Sequence, residues 1–238
     1  MYDWPEVRAE TDALWAVLRD ALRERGLDAP EALDRDTPLQ ALWRDPALCL
    51  AQTCGLPFRL GLHEHVALVG TPDHGVEGCA PGFYCSVLVA RKDDTRPSFA
   101  AFAGAVAAFN APDSQSGWAA LAAAAEGASF FARRVETGSH RASIRAVASG
   151  EAAIAAIDAV TWRLALRHEP AARALRVLGR TAPVPGLPLV TAGRHDPAPY
   201  AAAARQALAS PEARALGIAG LVAIPKAAYL ALTLPPAP

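Results

Sequence analysis

Two stretches gather the side chains that could hold or move charge. "NAPDSQSGW" (110–118) brings Ser114, Gln115, Ser116 and Gly117 together, and "TGSHRAS" (137–143) brings Ser139 and His140 together. Each follows an apolar run that reads as a strand, and each precedes a run that reads as a helix. A hydroxyl at a helix start accepts from backbone N–H groups that the helix itself leaves unpaired. The same hydroxyls and N–H groups can instead be turned to an anion. Both stretches therefore read either as caps or as two walls of an oxyanion cradle. His140 adds a donor when protonated or in the right tautomer. If two such helix starts lie in one lobe, they can converge at the carboxyl edge of a sheet.

The elements that must position them follow from periodicity and punctuation. Apolar residues recur at helical spacing from Trp4 to Arg25, and Gly26 ends that helix. Thr37 and Pro38 read as the cap and first residue of a second helix. "ALCLAQTCG" reads as a short buried strand, with a brief helix over Pro57–Leu62 after it. "HVALVGTP" and "GFYCSVLVARKDD" read as strands, "RPSFAAFAG" as a helical turn and "AVAAFN" as a strand. A helix is expected over Ser116–Glu126, then the strand "SFFARRVETGS", the helix "HRASIRAVASG" and the strand "AAIAAID". The helix "AVTWRLALRHEP" and the strand "LRVLGRT" complete this series. The Pro-rich "APVPGLPLVT" then leads to helices over Tyr200–Ala209, Pro211–Leu216 and Pro225–Leu232. Alternating strands and helices predict an α/β fold with mostly parallel sheets flanked by helices.

Composition removes several function classes. A net charge of −1 over 238 residues, with Lys and Arg dispersed, gives no field to draw in nucleic acid or a membrane surface. The apolar runs are broken by Pro, Gly or charge well short of the ~20 residues that span a bilayer. The opening "MYDWPEVRAETDALW" has acidic residues and no apolar core, so it does not read as a secretory signal. Cys49, Cys54, Cys79 and Cys85 lack C-x-x-C spacing and read as buried free thiols, with a Cys79–Cys85 bridge reserved for an oxidising compartment. "HEH" (63–65) puts His63 and His65 on one strand face without a third ligand, so no metal is expected. No phosphate loop, dinucleotide fingerprint or Ser–His–Asp spacing is present, and no cofactor is expected.

"DSQSG", "TGSHRASIRAVASGEAAIAAID" and "YCSVLV" together resemble the phosphate- and phosphonate-binding components of ABC importers, over roughly residues 80–190 and more faintly beyond. The resemblance implies the type 2 periplasmic-binding-protein fold: two lobes with a ligand cleft between them. It implies that Ser114, Gln115, Ser116, Gly117, Ser139 and His140 bind the oxyanion head. That family usually carries Thr or Ser where Gln115 stands, so a carboxamide here replaces a hydroxyl. Position adds Tyr84 and Ser86, Gln52, Thr53 and Gly55, and Tyr2 and Asp3 as cleft candidates, the last two at the end of the strand that opens the fold in that family. Asp158 is a further candidate, to meet a cationic ligand group or to cap a helix. Trp118 and Trp162 are ligand walls or core.

The expected organisation is a discontinuous first lobe, 1–91 plus 188–238, and a second lobe, 92–187, carrying the oxyanion-binding helix starts. The expected function is that of a solute-binding protein closing on phosphate, phosphite or a phosphonate, with an ABC permease as partner. Enzymes and cytosolic sensor domains share the fold, and there His140 or Asp158 would act as acid or base. Location is left open between the periplasm of the resembled family and the cytoplasm.

Overall fold

In the computed structural model, which describes residues 2–125 and 128–238, the first long element starts where the apolar stripe does. A 3₁₀ turn, Pro5–Val7, leads into α1 (Arg8–Arg23), whose Trp15, Leu18 and Leu22 are buried. The following elements are α2 (Leu39–Leu42), β1 (Ala51–Gln52), α3 (Gly55–Arg59) and β2 (Val66–Asp73). Next come β3 (Phe83–Tyr84), β4 (Ser86–Arg91), β5 (Val106–Phe109), α4 (Ala120–Ala124), β6 (Arg133–Glu136) and α5 (His140–Ser149). β7 (Ile154–Asp158), α6 (Ala159–His168), β8 (Leu175–Arg180), β9 (Val184–Pro185) and β10 (Leu189–Ala192) follow. The chain ends with α7 (Pro197–Leu208), α8 (Pro211–Ala215), β11 (Gly220–Val222) and α9 (Lys226–Leu230).

Contacts divide the chain into two units. One comprises Met1–Phe83 and Pro185–Ala231; the other comprises Tyr84–Val184 and Leu232–Pro238. The divisions fall inside β3 and β9, which form a two-stranded sheet of their own. The C-terminal residues 232–238 cluster with the second unit, where the Pro236 carbonyl accepts the indole N–H of Trp118 at 2.7 Å.

The first unit is built on the sheet β1-β10-β2-β11, whose pairings are all antiparallel. Its core packs α1 through Trp15, Leu18 and Leu22 against α7 through Tyr200, Ala203, Ala204 and Ala207. The alanines keep the α7 surface low enough for the two helices to meet closely. α2 starts at Leu39 rather than at the expected Pro38. Pro38 itself holds the extended backbone of the cap position, and the Thr37 and Asp36 N–H groups are taken by the Asp34 carboxylate instead.

The second unit has the sheet order β6-β5-β7-β4-β8. The expected parallel pairing holds across β6-β5-β7, while β4 is antiparallel to both its neighbours. Its core is made by Leu88, Ala90, Ala107, Ile154 and Ala156 of the strands against Phe102, Leu121 and Phe131. The last expected residue of the helix after β5, Glu126, lies outside the described residues. α5 has both boundaries that the sequence announces. Ser139 caps its first turn, and Gly150 closes it in a left-handed conformation (φ +85°) that suits glycine.

Candidate functional site

The register of the second sheet decides which side chains meet. β5, β6 and β7 run parallel, so their carboxyl ends, at Phe109, Glu136 and Asp158, share one edge. β4 runs the other way, with Ser86 opposite Asp158, so the Tyr84–Ser86 end arrives at that edge too. Helix starts with polar side chains follow all three parallel strands there.

The first start is an unusual one. Gln115–Ala119 forms a π turn that leads into α4, and the Ser114 carbonyl accepts the Ala119 N–H at 3.0 Å. Such turns widen a helix by one residue and concentrate at functional positions. Ser114 Oγ accepts the Gly117 N–H at 2.9 Å, and Ser114, Gln115 and Ser116 are all buried. The glycine is required here. A Cβ at Gly117 would run into the Asn110 carboxamide oxygen and stand 3.1 Å from Ser114 Oγ.

The second start, at α5, has Ser139 Oγ accepting the Ala142 N–H at 3.1 Å. Thr137 fixes the approach. Its hydroxyl donates to the Phe109 carbonyl at 3.0 Å and lies 2.7 Å from Ser143 Oγ, tying the end of β6 to the end of β5. The two starts then touch: Ser116 Oγ and His140 Nε2 are 2.9 Å apart. Burial of the ring outweighs the favourable Ala156 carbonyl and brings the His140 pKa down to about 4. The imidazole is thus neutral near pH 7, a hydrogen-bonding group rather than a cation. Its Nδ1 is buried on the side away from Ser116. The α5 arginines, Arg141 and Arg145, face Glu169, at 2.7 and 2.8 Å.

The remaining expected residues divide by unit. Tyr84 is buried on the same edge as Ser86. Asp158 caps α6, its Oδ1 accepting from the Val160 and Thr161 N–H groups at 2.8 and 3.0 Å. Gln52, Thr53 and Tyr2 belong to the first unit. There the Gln52 carboxamide donates to the Leu187 carbonyl at 3.3 Å, Thr53 is fully buried, and Tyr2 packs edge-on against His74. Trp118 is completely buried against Phe109, so it is core and not a ligand wall. His63 Nδ1 bonds to the Phe58 carbonyl, and the four cysteines are free thiols.

Ser86, a cleft candidate by position, makes the next link, and its partner Thr181 lay outside the expected residues. Ser86 Oγ donates to the Ser116 carbonyl at 2.8 Å, and Thr181 brackets Ser86: its hydroxyl accepts the Ser86 N–H and its own N–H reaches the Ser86 carbonyl, both at 2.9 Å. The only sequence signal for Thr181 is a hydroxyl residue directly after an apolar strand.

No curated protein matches this sequence. Residues 51–227 match the family described as ABC transporter, phosphonate, periplasmic substrate-binding protein. Among solved structures, a Prochlorococcus marinus protein in complex with methylphosphonate is similar at TM-score 0.69 and 14% identity, covering 93% of this chain and 90% of that one. A Xanthomonas citri protein bound to ATP is similar at TM-score 0.67 and 19% identity, covering 90% and 86%. A binding-protein component of an ABC phosphonate transporter from Pseudomonas aeruginosa gives TM-score 0.56 and 22% identity, covering 86% and 66%. These likenesses share the two-lobed periplasmic-binding-protein fold, and among the described residues no helix is long and apolar enough to cross a membrane. With the family match spanning most of its length, the chain belongs to the phosphonate substrate-binding proteins of ABC transporters, which bind their solutes rather than transform them.

Proposed function

We propose that this solute-binding protein captures a small oxyanion of the phosphate, phosphite or phosphonate class at the carboxyl edge of the second sheet, and delivers it to an ABC permease. Ser114, Gln115, Ser116 and Gly117 from one helix start and Ser139 and His140 from the other form the anion-facing set. Tyr84 and Asp158 flank it, and Gln52, Thr53 and Tyr2 are assigned to the first unit's share of the ligand. The supporting observation is the 2.9 Å contact between Ser116 Oγ and His140 Nε2, which brings both helix starts to one point. Helix starts carry partial positive charge, so a ligand's negative charge is met by N–H groups and hydroxyls although His140 is neutral.

Titration calorimetry with methylphosphonate, phosphate, phosphite and methylsulfonate tests this reading. Ser116→Ala and His140→Ala should each lose a charge-assisted bond of about 1.5–3 kcal/mol, weakening the best ligand roughly 10- to 150-fold. Ser210→Ala, which removes the cap of α8 in the first unit, should leave affinity unchanged. Full affinity in both site variants would reject the assignment.

A further inference from the structure

The helix start that carries Ser116 is pinned by a part of the chain far away in sequence. Trp118 stands two residues after Ser116 in the π turn and is 0% exposed. Its ring packs against Phe109, with centroids 5.3 Å apart, and against Ala122. Its N–H donates to the Pro236 carbonyl at 2.7 Å. Phe109 is itself a fixed point, since its carbonyl accepts both the backbone N–H and the hydroxyl of Thr137. Trp118 thus lies between the end of β5 and residues 232–238, which belong to the second unit although they follow α9 of the first. Residues two apart on a helix do not share a face. With the indole held on one side of the turn, Ser116 is presented on another, where its Oγ meets His140 Nε2.

The segment suits this task chemically. "LTLPPAP" (232–238) carries prolines at 235, 236 and 238, and it forms neither helix nor strand. Proline has a fixed φ and no N–H, so docking costs little backbone freedom and leaves carbonyls available as acceptors. Proline-rich segments dock on aromatic surfaces for the same reason. The hold is also light. Leu234 is 54% exposed and Pro236 is exposed too, so the segment buries little apolar area of its own. Elements with few buried apolar contacts open at low free-energy cost.

We infer that residues 232–238 are a releasable strap that sets the π turn: while Pro236 is docked, Trp118 stays against Phe109 and Ser116 faces His140. When the strap lifts, the buried indole N–H loses its acceptor, the turn is free to roll, and the Ser116–His140 contact loosens. Trp118 and Pro236 are therefore positioning residues, acting through Ser116. With the oxyanion at the site proposed above, strap docking and ligand binding promote one another by a single factor, because linkage is reciprocal. This coupling rests on the proposed function, whereas the setting of the turn does not.

Amide exchange and calorimetry on the full chain test the strap. One variant replaces Leu234–Pro238 with Gly and Ser residues and leaves Trp118 in place. The other, Trp118→Phe, removes the donor and keeps an aromatic ring. Without ligand, exchange of the Gly117 and Ala119 N–H groups, both bonded to Ser114, should quicken roughly fivefold or more in each variant. The Ala142 N–H, under the Ser139 cap at the other helix start, should exchange as before, which separates positioning from a general loss of stability. Methylphosphonate should bind the Gly/Ser variant roughly fivefold or more weakly. At saturation in the intact chain it should slow exchange of the Trp118 indole N–H by the same factor. Unchanged Gly117 and Ala119 exchange in the Gly/Ser variant would overturn the proposal, as would equal acceleration at Ala142. Quickened exchange with undiminished affinity would overturn the coupling. If the intact chain binds none of the oxyanions, the proposed function fails, and quickened Gly117 and Ala119 exchange still upholds the strap.

Discussion

His140 offers the sharpest test of how the two helix starts are joined. Burial of the ring moves its pKa from 6.5 to about 4 in the folded protein. An unfolded chain takes up the proton as pH falls below the ordinary value, while the native protein takes it up only near the depressed one. Across that window unfolding binds a proton, so the stability associated with the neutral ring is present above pH 6.5 and is lost as pH falls toward 4. Between about pH 7.5 and about pH 5 the loss amounts to about 2 kcal/mol. For a chain of this length that corresponds to a fall of about 4–8 °C in melting temperature. His140→Asn keeps a polar partner for Ser116 and does not titrate, so its stability should fall less over the same interval by that difference. Thermal or urea unfolding over a pH series reads the comparison, and the imidazole proton resonance reads the midpoint. Under the proposed function, saturating methylphosphonate raises that midpoint, because a neighbouring anion favours the charged ring. Equal pH slopes in the two proteins, or a ligand-free midpoint near 6.5, would refute the burial argument.

Gly117→Ala should cost about 1–3 kcal/mol in urea unfolding and weaken oxyanion binding in calorimetry, because the new methyl group meets the Asn110 carboxamide and Ser114 Oγ. Glu169 gives a second acid-sensitive site, with the same direction of pH dependence. Burial disfavours its charge, but hydrogen bonds from Arg141 and Arg145 outweigh it and hold the carboxyl below its usual 4.5. The stability that this ion cluster supplies is therefore present above that value and lost as pH drops below it. Glu169→Gln should weaken the protein at neutral pH and flatten the acid limb of the unfolding curve, with Arg173→Gln unaffected in that limb.

The second unit was legible because its boundaries are chemical. Ser139 before an amphipathic run and Gly150 after it give α5 to the residue, and Asp158 at the end of "AAIAAI" gives both the strand end and the cap of α6. Parallel order among β5, β6 and β7 follows from their connecting helices, and it alone brings the two serine-containing helix starts to one edge. The direction of β4 was not legible. It enters from the first unit by way of β3 rather than through a crossover helix, so no local pattern fixes its sense. β10 and β11 were missed for a different reason. β10 lies within a Pro-rich stretch, and β11 has three residues, too few to show an alternation, so both are held by pairing to β2 rather than by propensity.

The same distinction separates what the candidate site shows in sequence from what it does not. A cap is a local event, readable from four residues, and Ser114 and Ser139 are caps in the structure. What stands opposite a cap is not local, and here it is fixed by bonds between distant segments: Ser86 to the Ser116 carbonyl, Thr137 to the Phe109 carbonyl, Ser116 to His140. Each uses a hydroxyl to fix one loop against another strand end. The π turn adds to this, since the extra residue it inserts sets where Ser116 stands on the helix face. Removing any one of these hydroxyls leaves both helices capped yet loosens the distance between their starts, so the proposed site is better described as a spacing between two helices than as a set of ligating residues.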